Sequence, residues 1–143
     1  MALRSWIANV EVPKDYSRVD LGAHADELKA ELQLTGDGVV LFTAAAVDEH
    51  TVAADGDVSV TATVGLSLPT WAAAPDDLED TGPGTINVVA WLPVRLSLAA
   101  LVGAVVTVTE AKTQALLEHG IEATGTASDA VAIACPPDGP VEP

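Results

Sequence analysis

Residues 51–66, TVAADGDVSVTATVGL, carry the strongest structural signal in the chain. From Val58 to Leu66, apolar residues alternate with serine and threonine, which is the two-residue period of a strand with one buried face. Asp55 and Gly56 separate this run from a preceding run of β-forming residues, and an Asp-Gly step at such a position favours a tight hairpin. The stretch therefore predicts two antiparallel strands joined at Gly56.

Four further runs predict strands on either side of this hairpin. Residues 5–12 and the continuous apolar run that begins at Gly38 lie upstream. Residues 85–93 and 130–134 lie downstream, and prolines close both of these segments. A short, continuous apolar run is typical of a strand that is buried on both faces.

Two segments have the character of helices. Leu21–Leu34 follows Asp20, and Leu98–His119 follows Ser97; both preceding residues are favourable N-caps. Gly120 is well placed to end the second helix. Because the first half of this helix is apolar on all sides, we expect it to be central and among the most buried elements.

The order of these elements is β-α-β-β-β-β-α-β, which predicts the α+β fold class. We expect a single domain with a mixed β-sheet and both helices packed on it, since 143 residues suffice for one core. The domain is placed at residues 1–136, and residues 137–143, PDGPVEP, are expected to form a disordered tail. Pro69–Gly84, rich in proline, aspartate and glycine, predicts a long loop.

The charge balance excludes several classes of partner. Six basic residues against 21 acidic ones give a formal net charge of −15, so binding to nucleic acid or to an anionic membrane surface is disfavoured. The most apolar run, residues 96–108, is shorter than a membrane span, and the N-terminus lacks the pattern of a signal peptide. We therefore expect a soluble cytoplasmic protein without a membrane segment.

The composition also excludes a disulfide scaffold and a cysteine-based zinc ribbon or finger, and it leaves open whether the protein requires a metal. Cys135 is the only cysteine, and the three histidines are scattered along the chain. The acidic stretch in the long loop does not have the ligand spacing of a calcium-binding hand and is typical of a solvated loop. No metal and no other cofactor are predicted. The acids of this stretch are Asp76, Asp77, Glu79 and Asp80.

The TEAK segment, residues 109–112, lies where the second helix changes from apolar to polar. Glu110 and Lys112 are two residues apart, so on a helix they point about 200° from each other and cannot form a local ion pair. An acid beside an apolar turn can have a raised pKa, which suits acid–base catalysis, so Glu110 is a candidate general base. The alternative is that Glu110 is an ordinary acid on the helix surface.

The ATGTASD segment, residues 123–129, is a candidate ligand-binding turn. Closely spaced backbone N–H groups can hold an oxyanion, and Asn87 or Lys112 would assist them. Asp129 would orient a water molecule or the turn itself. The alternative is an ordinary turn whose side chains bond to their own backbone. The N–H groups in question belong to Thr124, Gly125 and Thr126.

Trp71, at the start of the long loop, is a candidate for stacking on a flat ligand, whereas Trp6 and Trp91 are interpreted as packing residues. Cys135 is interpreted as a small packing residue, because no nearby group would lower the pKa of its thiol.

Taken together, these segments resemble the adenosylcobinamide amidohydrolase family over nearly the whole chain. The most specific part of the resemblance is the order and spacing of GTIN, TEAK and ATGT-x-x-D. RSWIANVEVPKDYSRVD, GDGVVLFTAA and ATVGLSLPTWAAAP are similar to earlier parts of the family. Family members usually begin with a further N-terminal segment, and their turn reads closer to ATGTGTD, where this chain has Ala127 and Ser128.

The resemblance implies an enzyme of corrinoid salvage. Such an enzyme hydrolyses the amide that joins the aminopropanol arm to adenosylcobinamide, giving adenosylcobyric acid, which re-enters coenzyme B12 synthesis. The corrinoid is then a small-molecule substrate rather than a cofactor. Two other hypotheses stay open, a corrinoid-binding or regulatory remnant without catalysis and an acidic interaction module. Whether the protein forms a homodimer is also open.

The mechanism that we predict from the sequence is direct attack by water. No G-x-S-x-G or other pattern of an activated nucleophile is present. Glu110 would act as the general base and then protonate the leaving amine, and the 124–126 backbone would hold the oxyanion. On this hypothesis, Glu110→Gln lowers turnover by roughly 10²-fold or more.

Overall fold

The computed structural model describes residues 4–74 and 84–143. The acidic stretch predicted to be a solvated loop lies outside the described residues, as does most of the predicted loop 69–84. The elements, in chain order, are β1 Trp6–Glu11, α1 Leu21–Glu31, β2 Gly38–Thr43, a 3₁₀ turn Val47–Glu49, β3 Thr51–Asp55, β4 Val58–Gly65, β5 Thr85–Trp91, β6 Arg95–Leu96, α2 Leu98–Glu118, β7 Ala130–Ala134 and β8 Val141–Glu142.

The main sheet has the strand order β3-β4-β5-β7. β3, β4 and β5 are antiparallel neighbours, and β7 joins β5 in parallel. The hairpin predicted at Asp55 and Gly56 is confirmed, and Gly56 has φ = 57°, a conformation that costs glycine little. Parallel and antiparallel pairs in one sheet, together with two helices, confirm a single α+β domain with a mixed sheet.

A second sheet is formed by β1 and β2, which are parallel and paired from Trp6 with Gly38 to Glu11 with Thr43. The Trp6 indole lies so close to Gly38 that a β-carbon there would overlap the ring, which explains the glycine at this position. A side-chain hydrogen bond connects the two sheets, in which Asn9 Nδ2 of β1 donates to Thr63 Oγ1 of β4 at 3.0 Å. The second sheet thus covers one face of the main sheet.

Helix α2 lies against the other face of the main sheet. Ser97 caps it as predicted, since its Oγ accepts a hydrogen bond from the Ala100 N–H at 3.1 Å. Gly120, with φ = 75°, follows its end as predicted. Leu116 packs with Ile86 and Val88 of β5 to form the centre of the hydrophobic core.

The expectation that α2 is among the most buried elements is wrong. Leu116 is its only buried residue, and most of the apolar side chains in its first half are exposed. The reason is geometric, because the helix contacts the sheet along one narrow face. An apolar composition does not by itself place another element of the fold against the remaining faces of the helix. The exposed side chains are Leu98, Val102, Val105 and Val106.

Among the described residues, α2 is also the one helix that is long and apolar enough, by length and composition, to cross a membrane. The sequence prediction considered only a shorter apolar run, so it did not identify this property. Only 6% of the most apolar window of the helix is buried, whereas a helix in a protein core is mostly buried.

Helix α1 lies against the second sheet, where the His24 ring stacks on Phe42 of β2 with ring centroids 4.9 Å apart. The helix ends at Glu31, three residues earlier than predicted. Asp20 does not cap it with its side chain, because its carboxylate is bound by Arg18, with Nε to Oδ1 at 3.0 Å. A guanidinium is a stronger competitor for a carboxylate than a backbone N–H is.

The segment predicted to be a disordered tail contains a short strand. Val141–Glu142 forms β8, which pairs in parallel with β6. The Ser97 N–H donates to the Glu142 carbonyl at 3.0 Å, so the end of the chain is fixed beside the start of α2. The expectation of a disordered tail over residues 137–143 is not met at this pair.

Candidate active site

The three short motifs of the sequence converge at one edge of the main sheet. GTIN begins β5, Lys112 of TEAK projects from α2, and Asp129 of ATGTASD immediately precedes β7. β5 and β7 are parallel neighbours, with Asn87 opposite Ala130, so their N-terminal ends lie at the same edge. This register brings Asp129 to Ile86, and the helix brings Lys112 to Asp129.

The Asp129 carboxylate is the centre of this cluster and accepts four hydrogen bonds. Oδ1 accepts from the Ile86 N–H at 2.9 Å and from Thr126 Oγ1 at 2.5 Å. Oδ2 accepts from the Thr126 N–H at 3.1 Å and from Lys112 Nζ. Both oxygens are therefore fully occupied, and the turn is tied to β5 and to α2 through one side chain.

These contacts decide the protonation state of Asp129. Burial by itself raises the pKa of the carboxyl, but the hydrogen bonds from Lys112, from the Thr126 side chain and from the two backbone N–H groups outweigh burial and lower it. Asp129 is thus an anion at neutral pH with no lone pair directed at a substrate. It is suited to positioning Lys112 rather than to accepting a proton.

Lys112 is held at the wall of a cavity of about 640 Å³ between α2 and the main sheet. Its side chain is largely buried, and among the described residues its ammonium donates to Asp129 alone. An ammonium has three N–H donors, so two are left for a ligand. The other side chains that line the cavity are mostly apolar, so the charge of Lys112 acts where little water competes with it.

Gly125 makes this packing possible. A β-carbon at this position would overlap Asp129 Oδ2 and would lie 2.5 Å from Lys112 Nζ. The absence of a side chain therefore lets the turn close over the ion pair. The sequence predicted that a glycine in this turn would let the backbone approach another group closely. The group that it approaches is the Lys112–Asp129 ion pair of the protein itself.

Two hydroxyl groups fix the turn to β5. Ser128 Oγ donates to the Gly84 carbonyl at 2.9 Å and lies 2.8 Å from Thr85 Oγ1. Since Ser128 has one proton, Thr85 donates to Ser128. Sequence reasoning did not assign a role to Thr85, although its place in GTIN, at the entrance to a buried strand, was a usable signal.

The oxyanion hole predicted from the 124–126 backbone is not assembled. The Thr124 N–H donates to the Thr70 carbonyl at 3.0 Å, and the Thr126 N–H donates to Asp129. Two of the three predicted donors are therefore used inside the protein. This outcome agrees with the alternative interpretation of the segment as an ordinary turn. Threonine, serine and aspartate side chains in such a turn form hydrogen bonds with the turn's own backbone.

Trp71 lies beside this turn. The Ala72 N–H donates to Thr124 Oγ1 at 2.7 Å, and Thr70 bridges to Gly125. These bonds hold the segment that carries Trp71 against the candidate site, and the side chain is 48% exposed. Its role in stacking on a flat ligand stays a prediction.

Asn87 does not face Lys112. Successive residues of a strand point to opposite faces, and the neighbours Ile86 and Val88 face α2. Asn87 is only 2% exposed, and its Nδ2 donates to Asn9 Oδ1 at 2.8 Å and to the Phe42 carbonyl at 3.1 Å. It joins the two sheets, so the structure does not bring it to the predicted oxyanion.

Glu110 does not join the cluster either. It is exposed on the outer surface of α2, beside Thr113 and Gln114. The Glu110 side chain makes no hydrogen bond or ion pair with any other described residue. The spacing that prevents a local pair with Lys112 also turns Glu110 away from the face that Lys112 uses. The geometry therefore does not support Glu110 as the general base.

No group of three or more histidine, cysteine, aspartate or glutamate side chains that could hold a metal ion occurs within residues 4–74 and 84–143. The absence of a resident metal or other cofactor stays a prediction.

Comparison with known proteins connects this geometry to a family. The sequence model of the family described as "Adenosylcobinamide amidohydrolase" matches residues 1–143. The chain belongs to this family. GTIN, TEAK and ATGTASD, on which the resemblance rested, lie within the matched residues and meet at the Lys112–Asp129 pair.

Two curated relatives carry the same description. An adenosylcobinamide amidohydrolase of Halobacterium salinarum is 40% identical over 115 residues, covering 75% of this chain and 48% of the relative. One of Methanosarcina mazei is 50% identical over 60 residues, covering 40% of this chain and 30% of the relative. The matches thus span about half, or less, of each relative. No solved structure matches the chain.

Proposed function

We propose that this protein hydrolyses the amide between the aminopropanol arm and the corrin side chain of adenosylcobinamide. The products are aminopropanol and adenosylcobyric acid. Adenosylcobyric acid then re-enters coenzyme B12 synthesis, and we propose that this salvage reaction takes place in the cytoplasm. Family membership supports amide hydrolysis, and the names of the two relatives support the substrate. The observation that supports the site is the convergence of the three motifs at Lys112 and Asp129.

The reaction needs a group that stabilises negative charge on the carbonyl oxygen. An amide is a poor electrophile, and the attack of water moves charge from the carbon–oxygen double bond onto the oxygen. Lys112 supplies a fixed cation at the wall of an apolar cavity, and two of its N–H donors have no partner among the residues that the structure describes. It thus takes the role that the sequence prediction divided between the turn backbone, Asn87 and Lys112.

Asp129 acts through Lys112. Its carboxylate fixes the position of the ammonium, while Thr126 and Ile86 fix the carboxylate. A preorganised cation of this kind does not need to reorient as charge develops on the substrate. Asp129 is therefore a positioning residue, and Trp71 beside the turn offers an aromatic face to the corrinoid.

The bond changes are those of a direct hydrolysis. The oxygen of water bonds to the carbonyl carbon, one proton of that water passes to the leaving amine, and the carbon–nitrogen bond breaks. Ser128 and Thr85 use their protons in the chain that ends at Gly84, so neither is arranged as an activated nucleophile. No covalent intermediate with the protein is part of this proposal.

The test is incubation of the protein with adenosylcobinamide, followed by chromatography of the corrinoids. The proposal predicts conversion to adenosylcobyric acid with an equal amount of aminopropanol. Binding of the corrinoid without conversion would favour the non-catalytic remnant. Absence of both binding and conversion would favour the acidic interaction module.

A further inference from the structure

The first half of α2 presents an exposed apolar stripe. Leu98, Val102, Val105 and Val106 are 63%, 66%, 39% and 51% exposed. At about 100° per residue, these four side chains fall within an arc of about 100° on the helix. They form one continuous strip of surface, referred to below as the α2 stripe.

The α2 stripe is unusual because of the charge of the protein around it. The formal net charge is −15, yet no charged residue occurs between Arg95 and Glu110. A contiguous exposed apolar patch on a soluble protein marks an interaction surface. Like-charged copies of the protein repel one another over most of their surface, so the α2 stripe is where the approach of a second copy is least opposed.

We propose that the α2 stripe is the interface of a homodimer, in which α2 packs antiparallel against α2 of a second copy about a two-fold axis. This proposal does not rest on the proposed function. The charges on either side of the stripe indicate that a second copy of the protein binds there. Both Arg95, just before the stripe, and Glu110, just after it, are exposed.

The antiparallel arrangement follows from these two charges. Antiparallel packing centred on the stripe places Arg95 of one copy beside Glu110 of the partner subunit, and the two-fold axis repeats this contact at the other end. Parallel packing would instead place Arg95 beside Arg95 and Glu110 beside Glu110. The stripe is thus apolar in its centre with complementary charges at its rim, as in many protein interfaces.

Sedimentation velocity over a wide range of protein concentration tests this proposal. We expect a reversible dimer of the unmodified protein. Val102→Asp introduces a charge into the centre of the stripe and should weaken dimerisation by at least tenfold. The matched control is Val52→Asp, at a similarly exposed valine on β3, and this variant should leave the dimer intact. Circular dichroism establishes that both variants are folded.

Charge reversal tests the geometry separately. Arg95→Glu alone should weaken the dimer, and Arg95→Glu combined with Glu110→Arg should restore it. A monomer at every concentration, or equal effects of Val102→Asp and Val52→Asp, would overturn the dimer proposal. Co-sedimentation of a monomer with phosphatidylcholine vesicles through the same stripe would assign the surface to a membrane and overturn it as well.

Discussion

Lys112 and Asp129 form an ion pair in which only 12% and 11% of the two side chains are exposed to solvent. The pair joins the middle of α2 to the start of β7, seventeen residues away in the sequence. A pair that is withdrawn from water in this way holds its geometry, and removal of either partner leaves the other charge unsatisfied. The position of the Lys112 ammonium at the candidate site depends on this ion pair.

The first prediction concerns acid stability. The hydrogen bonds to Asp129 lower its pKa in the folded protein, so its contribution to stability is present above the ordinary carboxyl pKa of about 4 and is lost as the pH falls through the lowered value. Asp129→Asn should remove this contribution, so stability near neutral pH falls and the loss in acid becomes shallower. Urea unfolding at several pH values measures both effects.

The control for Asp129→Asn is Asp57→Asn in the exposed β3–β4 turn. Because the Asp57 side chain is exposed, this variant should lower the unfolding free energy at neutral pH much less than Asp129→Asn does. An Asp129→Asn profile that coincides with that of the unmodified protein would contradict the assignment of a stabilising ion pair.

The second prediction concerns Gly125. Gly125→Ala forces a β-carbon into the space of Asp129 Oδ2 and Lys112 Nζ, so it should cost about 1–3 kcal/mol of unfolding free energy and should lower turnover. Gly103→Ala is the matched control, because a β-carbon at that position in α2 meets no atom within 4 Å. It should be neutral or slightly stabilising, since alanine favours helix more than glycine does. Equal effects of the two substitutions would refute the close approach.

The third prediction concerns the packing of α2. Leu116 is 6% exposed and packs on Ile86 and Val88, so Leu116→Ala should cost about 2–4 kcal/mol. Leu117, the next residue, is 46% exposed, and its replacement by alanine should cost much less. Thermal or urea unfolding of the two variants gives the comparison. Similar costs at the two positions would mean that the helix packs on a different face.

The fourth prediction revises the role of Glu110. The sequence predicted a general base and a large loss of turnover for Glu110→Gln. Because the Glu110 side chain is exposed and makes no hydrogen bond or ion pair with another described residue, we now expect this variant to keep turnover within a few-fold of the parent. A loss near 10²-fold in kcat, with corrinoid binding intact, would restore the original assignment.

The local elements of the fold were predictable because their signals are local. The alternation from Val58 to Leu66 and the glycine at position 56 specify a hairpin without reference to the rest of the chain. The Ser97 cap and Gly120 likewise mark the ends of α2 through neighbouring residues alone. These local signals carry no information about which other elements surround a helix in the folded protein. The apolar composition of α2 was therefore misread as burial.

The site was predictable as a set of segments but not as an arrangement of atoms. The spacing on the helix showed that the side chains of Glu110 and Lys112 point in different directions. It did not show which of the two side chains faces the turn. That choice depends on how α2 lies across β5 and β7, a tertiary contact with no sequence signal of its own. The direction of Asn87 depends in the same way on which face of β5 the helix covers.

The most direct test of the account is the rate at which Lys112→Met converts adenosylcobinamide to adenosylcobyric acid. Loss of the cation that holds the oxyanion should lower turnover by at least about 10²-fold while the corrinoid still binds. Lys112→Arg, which keeps the charge, should retain part of the activity, and Lys14→Met, at an exposed lysine, should match the unmodified protein. A folded Lys112→Met protein that turns over at the parental rate would contradict the central claim.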